Sequence, residues 1–215
     1  MKLYGFFRSS AAFRVRIALN LKGVAYAQQA VHLLRDGGEQ HRLEFRRINP
    51  QGLVPVLVDG GVTLTQSLAI IEYLEETHPE PALLPDDAPG RARVRSLALV
   101  VACEIHPLNN PKVLKYLGGT HQLDEAARTA WYRHWIAEGM AAIEARLAGE
   151  KETGAFCHGD RPGIADCFLV PQIFNAKRYH CELAPYPTVM GVFGRCMAVD
   201  AFERAAPMKQ PDAEG

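Results

Sequence analysis

The stretch RSSAAFRVRIAL at residues 8–19 decides how the first part of the chain folds. It follows a short apolar run at residues 2–7, and its apolar residues recur at helical spacing between arginines. This pattern predicts a strand, a Ser-Ser turn and a partly buried helix. A helix that begins at such a turn directs its N–H groups and its positive dipole end at one point, where a hydroxyl, thiolate or carboxylate is favoured. Ser9 and Ser10 either only cap this helix or also belong to a site, and the stretch by itself favours capping.

The following segments complete a known order of elements. Strands are predicted at residues 26–33 and 54–59, and the Gly60–Gly61 pair predicts a hairpin turn into residues 62–64. Residues 67–79 form an amphipathic pattern that predicts a helix ending before the proline. The order β-α-β, a longer link and then β-β-α is that of a thioredoxin-like domain.

Pro55 opens the third predicted strand and allows two interpretations. A cis Val54–Pro55 bond would leave the N–H and the carbonyl of Val54 able to pair with an extended peptide. A trans proline at the start of a strand has no such consequence and is the more common arrangement.

The composition changes after residue 79. The segment EPALLPDDAPG at residues 80–90 is rich in proline and acidic residues, which is typical of a linker. Helical patterns then follow at residues 91–117, 124–147, 159–179 and 187–199. Pro107 and Pro111 are expected to bend or break the first of these helices. We therefore predict an α/β thioredoxin-like domain over residues 1–82, a linker over 83–87 and an all-helical domain over 88–209.

Composition and charge argue against several kinds of partner. Lysine plus arginine equals aspartate plus glutamate at 24 each, so no net field attracts nucleic acid or a membrane surface. No apolar stretch is long enough to cross a bilayer. Since Met1 leads almost directly into a strand, without a basic and apolar leader, we expect a cytoplasmic protein.

The chain's own thiols are not expected to react. The cysteines lack CxxC and zinc-ligand spacing, so we predict neither a metal site nor disulfides. All of them lie beyond the first domain. A thioredoxin or glutaredoxin carries a cysteine where its first strand meets its first helix, whereas this chain has Ser9, Ser10 and Ala11 there. A thiol that acts at this place must therefore come from a cofactor.

Together, six stretches resemble the zeta class of glutathione transferases, which includes maleylacetoacetate and maleylpyruvate isomerases. They occur in the family's order: RSSAAFRVRIALNLKGV (8–24), NPQGLVPVLVDGG (49–61), TQSLAIIEYLEETHPEPALLP (65–85), EIHPLNN (104–110), GDRPGIADCFLVPQ (159–172) and ELAPYPTV (182–189). The resemblance implies the glutathione transferase fold, glutathione as the cofactor and a homodimer.

Glutathione makes specific demands on a site. Its cysteinyl middle can pair in strand fashion with Val54, and its γ-glutamyl carboxylate suits the helix N-terminus opened by Gln66 and Ser67. Helix capping alone is the alternative for these two residues. For Gln40 the alternative is a solvent-exposed loop residue, and for His106 a packed residue in a helix bend. The resemblance implies a glutathione site formed by Ser9, Ser10, Ala11, Gln40, Val54, Pro55, Gln66, Ser67, His106 and Asn110.

Ser9 and Arg8 are the predicted catalytic residues. From the helix N-terminus, the Ser9 hydroxyl can donate a hydrogen bond to the glutathione sulfur and favour the thiolate, which is the nucleophilic form. Arg8 puts a cation beside that sulfur. The family motif usually reads Ser-Ser-Cys, and Ala11 stands in its third place.

The resemblance implies a dianionic cis-enedione substrate that is converted to the trans isomer. Arginine suits carboxylates because its planar fork matches them, so Arg8 and Arg178 are predicted substrate ligands. Lys112 stands where similar maleylpyruvate isomerases have a basic residue that binds substrate, whereas Arg14 and Arg16 are expected to support the structure through salt bridges or capping. Two other functions stay open: a broader transferase acting on α-halo acids or other small electrophiles, and a non-catalytic protein on the same fold.

Overall fold

The computed structural model describes residues 1–214 and divides the chain into two compact units. The first unit joins Met1–Leu83 to the segment from Met197 onward, and the second is Leu84–Cys196. The first unit begins with β1 (Lys2–Gly5), α1 (Ser10–Leu21), β2 (Ala27–Ala30), α2 (Leu43–Ile48), β3 (Val56–Asp59), β4 (Val62–Thr65) and α3 (Ser67–Thr77). The predicted order of strands and main helices is confirmed.

The strands of the first unit form one mixed sheet in the order β2-β1-β3-β4. β1 is parallel to β2, as expected for strands joined through a crossover helix, whereas β3 is antiparallel to both β1 and β4. β3 and β4 form the predicted hairpin, with Asp59 opposite Val62. β1 ends at Gly5, before the end of the predicted strand, because the chain turns at Phe7 and Arg8.

Packing between α1 and α3 fixes where both helices begin. α1 buries Phe13, Ile17 and Leu19, α3 buries Ile70 and Ile71, and the two helices are in contact. Full burial of an apolar side chain of this size contributes roughly 1.5–3 kcal/mol. The N-termini of the two helices are therefore held at fixed positions within the first unit.

Over residues 84–196 the second unit is built from helices, as predicted. It contains α4 (Ala88–Leu99), a π-helix (Val100–Ile105), α5 (Pro111–Gly119), α6 (Glu125–Gly149), α7 (Ile164–Arg178) and most of α8 (Pro187–Met197). The expected break near the two prolines is confirmed, since the π-helix ends before Pro107. Pro111 becomes the first residue of α5, where its missing N–H removes no helical hydrogen bond.

The C-terminal segment packs with the first unit rather than with the helical one. A short helix, α9 (Asp200–Ala205), contacts α1 and buries Phe202 completely. Arg16 Nε donates to the carbonyl of Ala205 at 3.0 Å, and Asn20 Nδ2 donates to the carbonyl of Ala201 at 3.0 Å. The apolar side of α9 thus packs on α1, whereas the sequence predicts a second domain over residues 88–209.

Candidate active site

Ser9 caps the helix that follows the first strand. Its backbone is extended at φ −65° and ψ 113°, and its Oγ accepts a hydrogen bond from the N–H of Ala12 at 3.2 Å. A hydroxyl that accepts a bond still has its own hydrogen to donate. Capping and a site role are therefore compatible at Ser9.

The residues on either side of Ser9 set its surroundings. Ser10 is buried and Ala11 half-buried in the first turn of α1. The side chain of Arg8 is exposed, and its guanidinium lies 5.6 Å from the ring centroid of Phe6 and 5.3 Å from that of Phe7. Two aromatic faces thus hold a cation close to the N-terminus of α1.

The Val54–Pro55 peptide bond is cis, which decides between the two interpretations of this proline. Both residues are buried and lie just before β3. Within residues 1–214, no hydrogen bond is made by the main chain of Val54. An unpaired N–H and carbonyl at the start of a strand can pair with an extended peptide.

Gln66 and Ser67 lie where β4 leads into α3. Ser67 is buried, and its Oγ accepts a hydrogen bond from Arg14 Nη1 at 3.2 Å. Gln66 has a φ of 68°, which is uncommon for a residue other than glycine, and its side chain makes no capping bond to α3. Instead, Gln66 Nε2 donates to Gln51 Oε1 at 3.0 Å. Helix capping alone therefore does not account for Gln66.

Gln40 is half-buried in a short 3-10 helix, Glu39–His41, rather than exposed in an open loop. Its Nε2 donates to the carbonyl of Leu33 at 3.4 Å, whereas its Oε1 is buried without a hydrogen-bond partner in the described part of the chain. A Cβ placed on Gly52 would lie 3.0 Å from the main-chain oxygen of Gln40, so this segment touches the turn that leads to Val54. A buried acceptor without a partner is costly unless a ligand supplies a donor.

In the second unit, three predicted site residues follow the π-helix. Asn110 caps α5, since its Oδ1 accepts from the N–H of Lys112 at 3.0 Å. The Lys112 side chain is exposed and His106 is half-buried. Between them, Asn109 is buried and donates from Nδ2 to the carbonyl of Tyr132 at 3.1 Å, which anchors the segment to α6.

Arg178 is the exposed last residue of α7. Its guanidinium lies 5.4 Å from the ring centroid of Tyr179, which stacks on Tyr132 at 3.5 Å and 11°. Burial raises the pKa of Tyr132, so its hydroxyl stays neutral. Tyr132 thus contacts both the Asn109 side chain and the Tyr179 ring beside Arg178, and α6 links these two parts of the second unit.

Known proteins match both units of the chain. The models of the glutathione S-transferase N-terminal and C-terminal domains match residues 3–82 and 125–196. A maleylpyruvate isomerase of Ralstonia sp is 53% identical over 99% of this chain and 100% of its own length. A solved maleyl pyruvate isomerase, a bacterial glutathione S-transferase of the zeta class, matches with a TM-score of 0.97 and 52% identity, covering 100% of both chains. This chain is a zeta-class glutathione S-transferase.

A second solved structure extends the comparison. A maleylacetoacetate isomerase from Methylobacterium extorquens AM1, with malonate and glutathione bound, has a TM-score of 0.96 and 45% identity, again over 100% of both chains. Glutathione is the cofactor of this enzyme class, and the first unit of the present transferase fits it. The main chain of Val54 and Oε1 of Gln40 both lack partners within residues 1–214, and a tripeptide offers amide groups to each.

The predicted glutathione residues of this transferase fall into two groups. His106 and Asn110 lie in the second unit, and the rest lie in the first. Within the first unit, the bonds from Arg14 to Ser67 and from Gln66 to Gln51 connect α1, α3 and the turn before Val54. The sequence analysis did not identify Gln51, although its polar side chain stands in the NPQGLVP stretch.

The strained backbone at Gln66 leads to a stability prediction. Gln66→Gly should be more stable than Gln66→Ala by about 1 kcal/mol, because both variants lose the bond to Gln51 but only glycine adopts a positive φ without steric conflict. Urea unfolding of the two variants measures the difference. Glu76, exposed within α3, is the matched control, and there the glycine variant should be the less stable by about 1 kcal/mol. Equal stabilities at position 66 would contradict backbone strain.

Proposed function

We propose that this chain is a glutathione-dependent cis–trans isomerase of maleylacetoacetate or maleylpyruvate. The observation that carries the proposal is the geometry of Ser9, whose Oγ caps α1 while its hydrogen stays able to donate. The exposed cation of Arg8 stands beside it. Relatives named for these two activities, matching over the whole chain or nearly so, support the same conclusion.

Activation of the sulfur falls to the N-terminus of α1. When bound, glutathione supplies a nucleophilic sulfur for reversible addition to the substrate double bond. The Ser9 hydroxyl donates a hydrogen bond to that sulfur, and the dipole of α1 adds a favourable potential. Both interactions stabilise the thiolate over the thiol, and each unit by which the pKa falls corresponds to about 1.4 kcal/mol.

The remaining residues of the site hold the tripeptide. The main chain of Val54 pairs with its cysteinyl amide groups, and Gln40 Oε1 accepts one of its N–H groups. Ser67 and the N-terminus of α3 take the γ-glutamyl carboxylate, and the Gln66 backbone brings that helix to its position. Asn110 uses Oδ1 as a cap, so it offers its amide N–H groups. The family resemblance supports the other assigned contacts, those of Ser10, Ala11, Pro55 and His106.

Two arginines and a lysine are the proposed substrate ligands. Arg8 and Arg178 are both exposed, and each guanidinium lies against an aromatic ring, which limits its motion. Malonate, bound by the Methylobacterium relative, is a dicarboxylate, as is each proposed substrate. Lys112 brings charge without the planar fork of arginine, so we assign it the weaker contact.

We also propose a homodimer in the cytoplasm. The family resemblance supports the dimer, which sedimentation equilibrium tests. Three of the free cysteines, Cys157, Cys167 and Cys196, are buried, and free thiols suit a reducing compartment. Within residues 1–214, no helix has the length and apolar character needed to span a membrane.

A direct assay tests the proposed reaction. The purified chain should convert maleylpyruvate or maleylacetoacetate to the trans isomer, followed by absorbance, only when glutathione is present. Turnover of an α-halo acid at a higher kcat/KM than either cis substrate would favour the broader transferase. Binding to immobilised glutathione without turnover of any electrophile would favour a non-catalytic protein.

Substitution of the arginines tests the substrate ligands. Arg8→Ala and Arg178→Ala should each lower kcat/KM for the dianionic substrate about tenfold or more, because a charge-assisted pair with a carboxylate contributes roughly 1.5–3 kcal/mol. A neutral electrophile conjugated by the same enzyme should lose much less. If both substrates lose activity equally, the arginines serve the fold or glutathione binding instead.

Substitution of Ser9 tests thiol activation. Ser9→Ala should keep the fold and most of the glutathione affinity, since Val54 and Ser67 still hold the tripeptide, while the rate falls at neutral pH and partly recovers at higher pH. The absorbance of the bound thiolate against pH measures this directly. Ala11→Cys is the neighbouring control and should change the rate much less. An unchanged thiol pKa in Ser9→Ala would assign activation to the helix terminus or to Arg8.

A further inference from the structure

The turn that carries Ser9 is held through its main chain at several points. The N–H of Ser9 donates to the carbonyl of Phe6 at 2.9 Å. Phe7, the next residue, is buried. Its carbonyl accepts a hydrogen bond from Arg16 Nη2 at 3.0 Å, and its N–H donates to Asp212 Oδ2 at 2.9 Å. Both main-chain polar groups of Phe7 are thus fixed by side chains distant in sequence.

Asp212 is itself oriented by the sheet. Its Oδ1 accepts from Gln28 Nε2 at 2.9 Å, and Gln28 lies in β2 opposite Leu3 of β1. The next residue, Ala213, packs against the apolar cluster that contains Phe6 and Phe7. Each carboxylate oxygen of Asp212 therefore has one donor, and the carboxylate spans the distance between β2 and the turn.

The charge of Asp212 also acts on Arg16. Arg16 is fully buried, and burial lowers its pKa to about 10, while Tyr26 and the carboxylate of Asp212 act in the opposite direction. Asp212 thus favours the charged form of Arg16, the side chain that bonds to the carbonyl of Phe7. Asp212, in the C-terminal segment, and Arg16, in α1, thus both bond to the main chain of Phe7.

The geometry points to Asp212, in the C-terminal tail, as a positioning residue that fixes the turn Phe6–Ser9 so that the Ser9 hydroxyl meets the glutathione sulfur. This role rests on the proposed activation of that sulfur by Ser9. Loss of the Asp212 carboxylate leaves a partly buried N–H without its acceptor, and relaxation of the turn to satisfy it moves Ser9. Such a shift weakens the bond to the sulfur more than it weakens the contacts at Val54 and Ser67, because Ser9 belongs to the turn and these two residues do not.

The test compares variants of the tail by the pKa of the bound glutathione thiol, read from thiolate absorbance against pH. Asp212→Ala should raise this pKa by about half to one unit, which leaves three- to tenfold less thiolate below the pKa and lowers kcat correspondingly. The dissociation constant of glutathione should change little. Asp212→Asn should stay close to wild type, because its amide oxygen can accept from Phe7 and Gln28 can turn its own amide to match.

Two other tail residues provide matched controls. Glu214 pairs with His32 and Arg35, and Gln210 caps the end of α9 through the carbonyls of Arg204 and Ala206. Neither has a hydrogen bond to the turn among its partners, so Glu214→Gln and Gln210→Ala should leave the thiol pKa unchanged even if they lower stability. If circular dichroism shows that Asp212→Ala is unfolded, Gln28→Ala replaces it, with a smaller shift in the same direction.

The outcomes separate this inference from the proposed function. A wild-type protein that does not lower the thiol pKa of bound glutathione contradicts the proposed activation itself. A lowered pKa in wild type that is unchanged in Asp212→Ala overturns only the role of Asp212. The role of Asp212 is also overturned if the control variants shift the thiol pKa as much as Asp212→Ala does. It is overturned as well if Asp212→Asn shifts the pKa like Asp212→Ala, since the charge of Asp212 rather than its hydrogen bond would then be responsible.

Discussion

The proposed site depends on a hydrogen bond between α1 and α3, two of the helices of the first unit. Arg14, one turn into α1, is buried and donates to Ser67, the first residue of α3. Both helices therefore begin within the reach of one side chain, and in the proposed site the positive ends of both dipoles serve one ligand. Apolar packing between α1 and α3 holds this geometry, so the anion-binding character of the site follows from the core beneath it.

The surroundings of a thiol decide whether it ionises, and they differ between the protein's buried cysteines and the proposed site. Burial raises the pKa of Cys157 and Cys196, and the nearby carboxylate of Asp166 raises both further. These side chains stay protonated and unreactive. At the N-terminus of α1, by contrast, a hydroxyl donor, a helix dipole and a neighbouring arginine all favour an anion. Burial thus keeps Cys157 and Cys196 inert, whereas the proposed site activates the sulfur of glutathione.

Much of this arrangement could be predicted from the sequence because local patterns determine it. The Ser-Ser turn before an amphipathic run predicts α1 and its cap, and the prolines predict the break before α5. The sequence pattern does not predict α2, because its six residues bury only Phe45 and so leave no periodic apolar signal. The cis state of Pro55 and the backbone of Gln66 depend on tertiary contacts, so local patterns do not determine them. Arg14 and Arg16 are expected from the sequence to support the structure through salt bridges or capping. In the structure, Arg14 bonds to the Ser67 hydroxyl, and Arg16 bonds to the carbonyls of Phe7 and of Ala205, the last residue of α9.

The return of the C-terminal segment to the first unit also has a consequence for biosynthesis. The helical unit is one continuous stretch, Leu84–Cys196, and can pack as soon as that stretch has left the ribosome. The first unit is begun before the helical unit and completed after it, because α1 stays without Phe202 against it until the segment that follows Cys196 emerges. During translation the nascent chain therefore carries an incomplete N-terminal unit with an uncovered apolar surface, which is the kind of surface that chaperones bind.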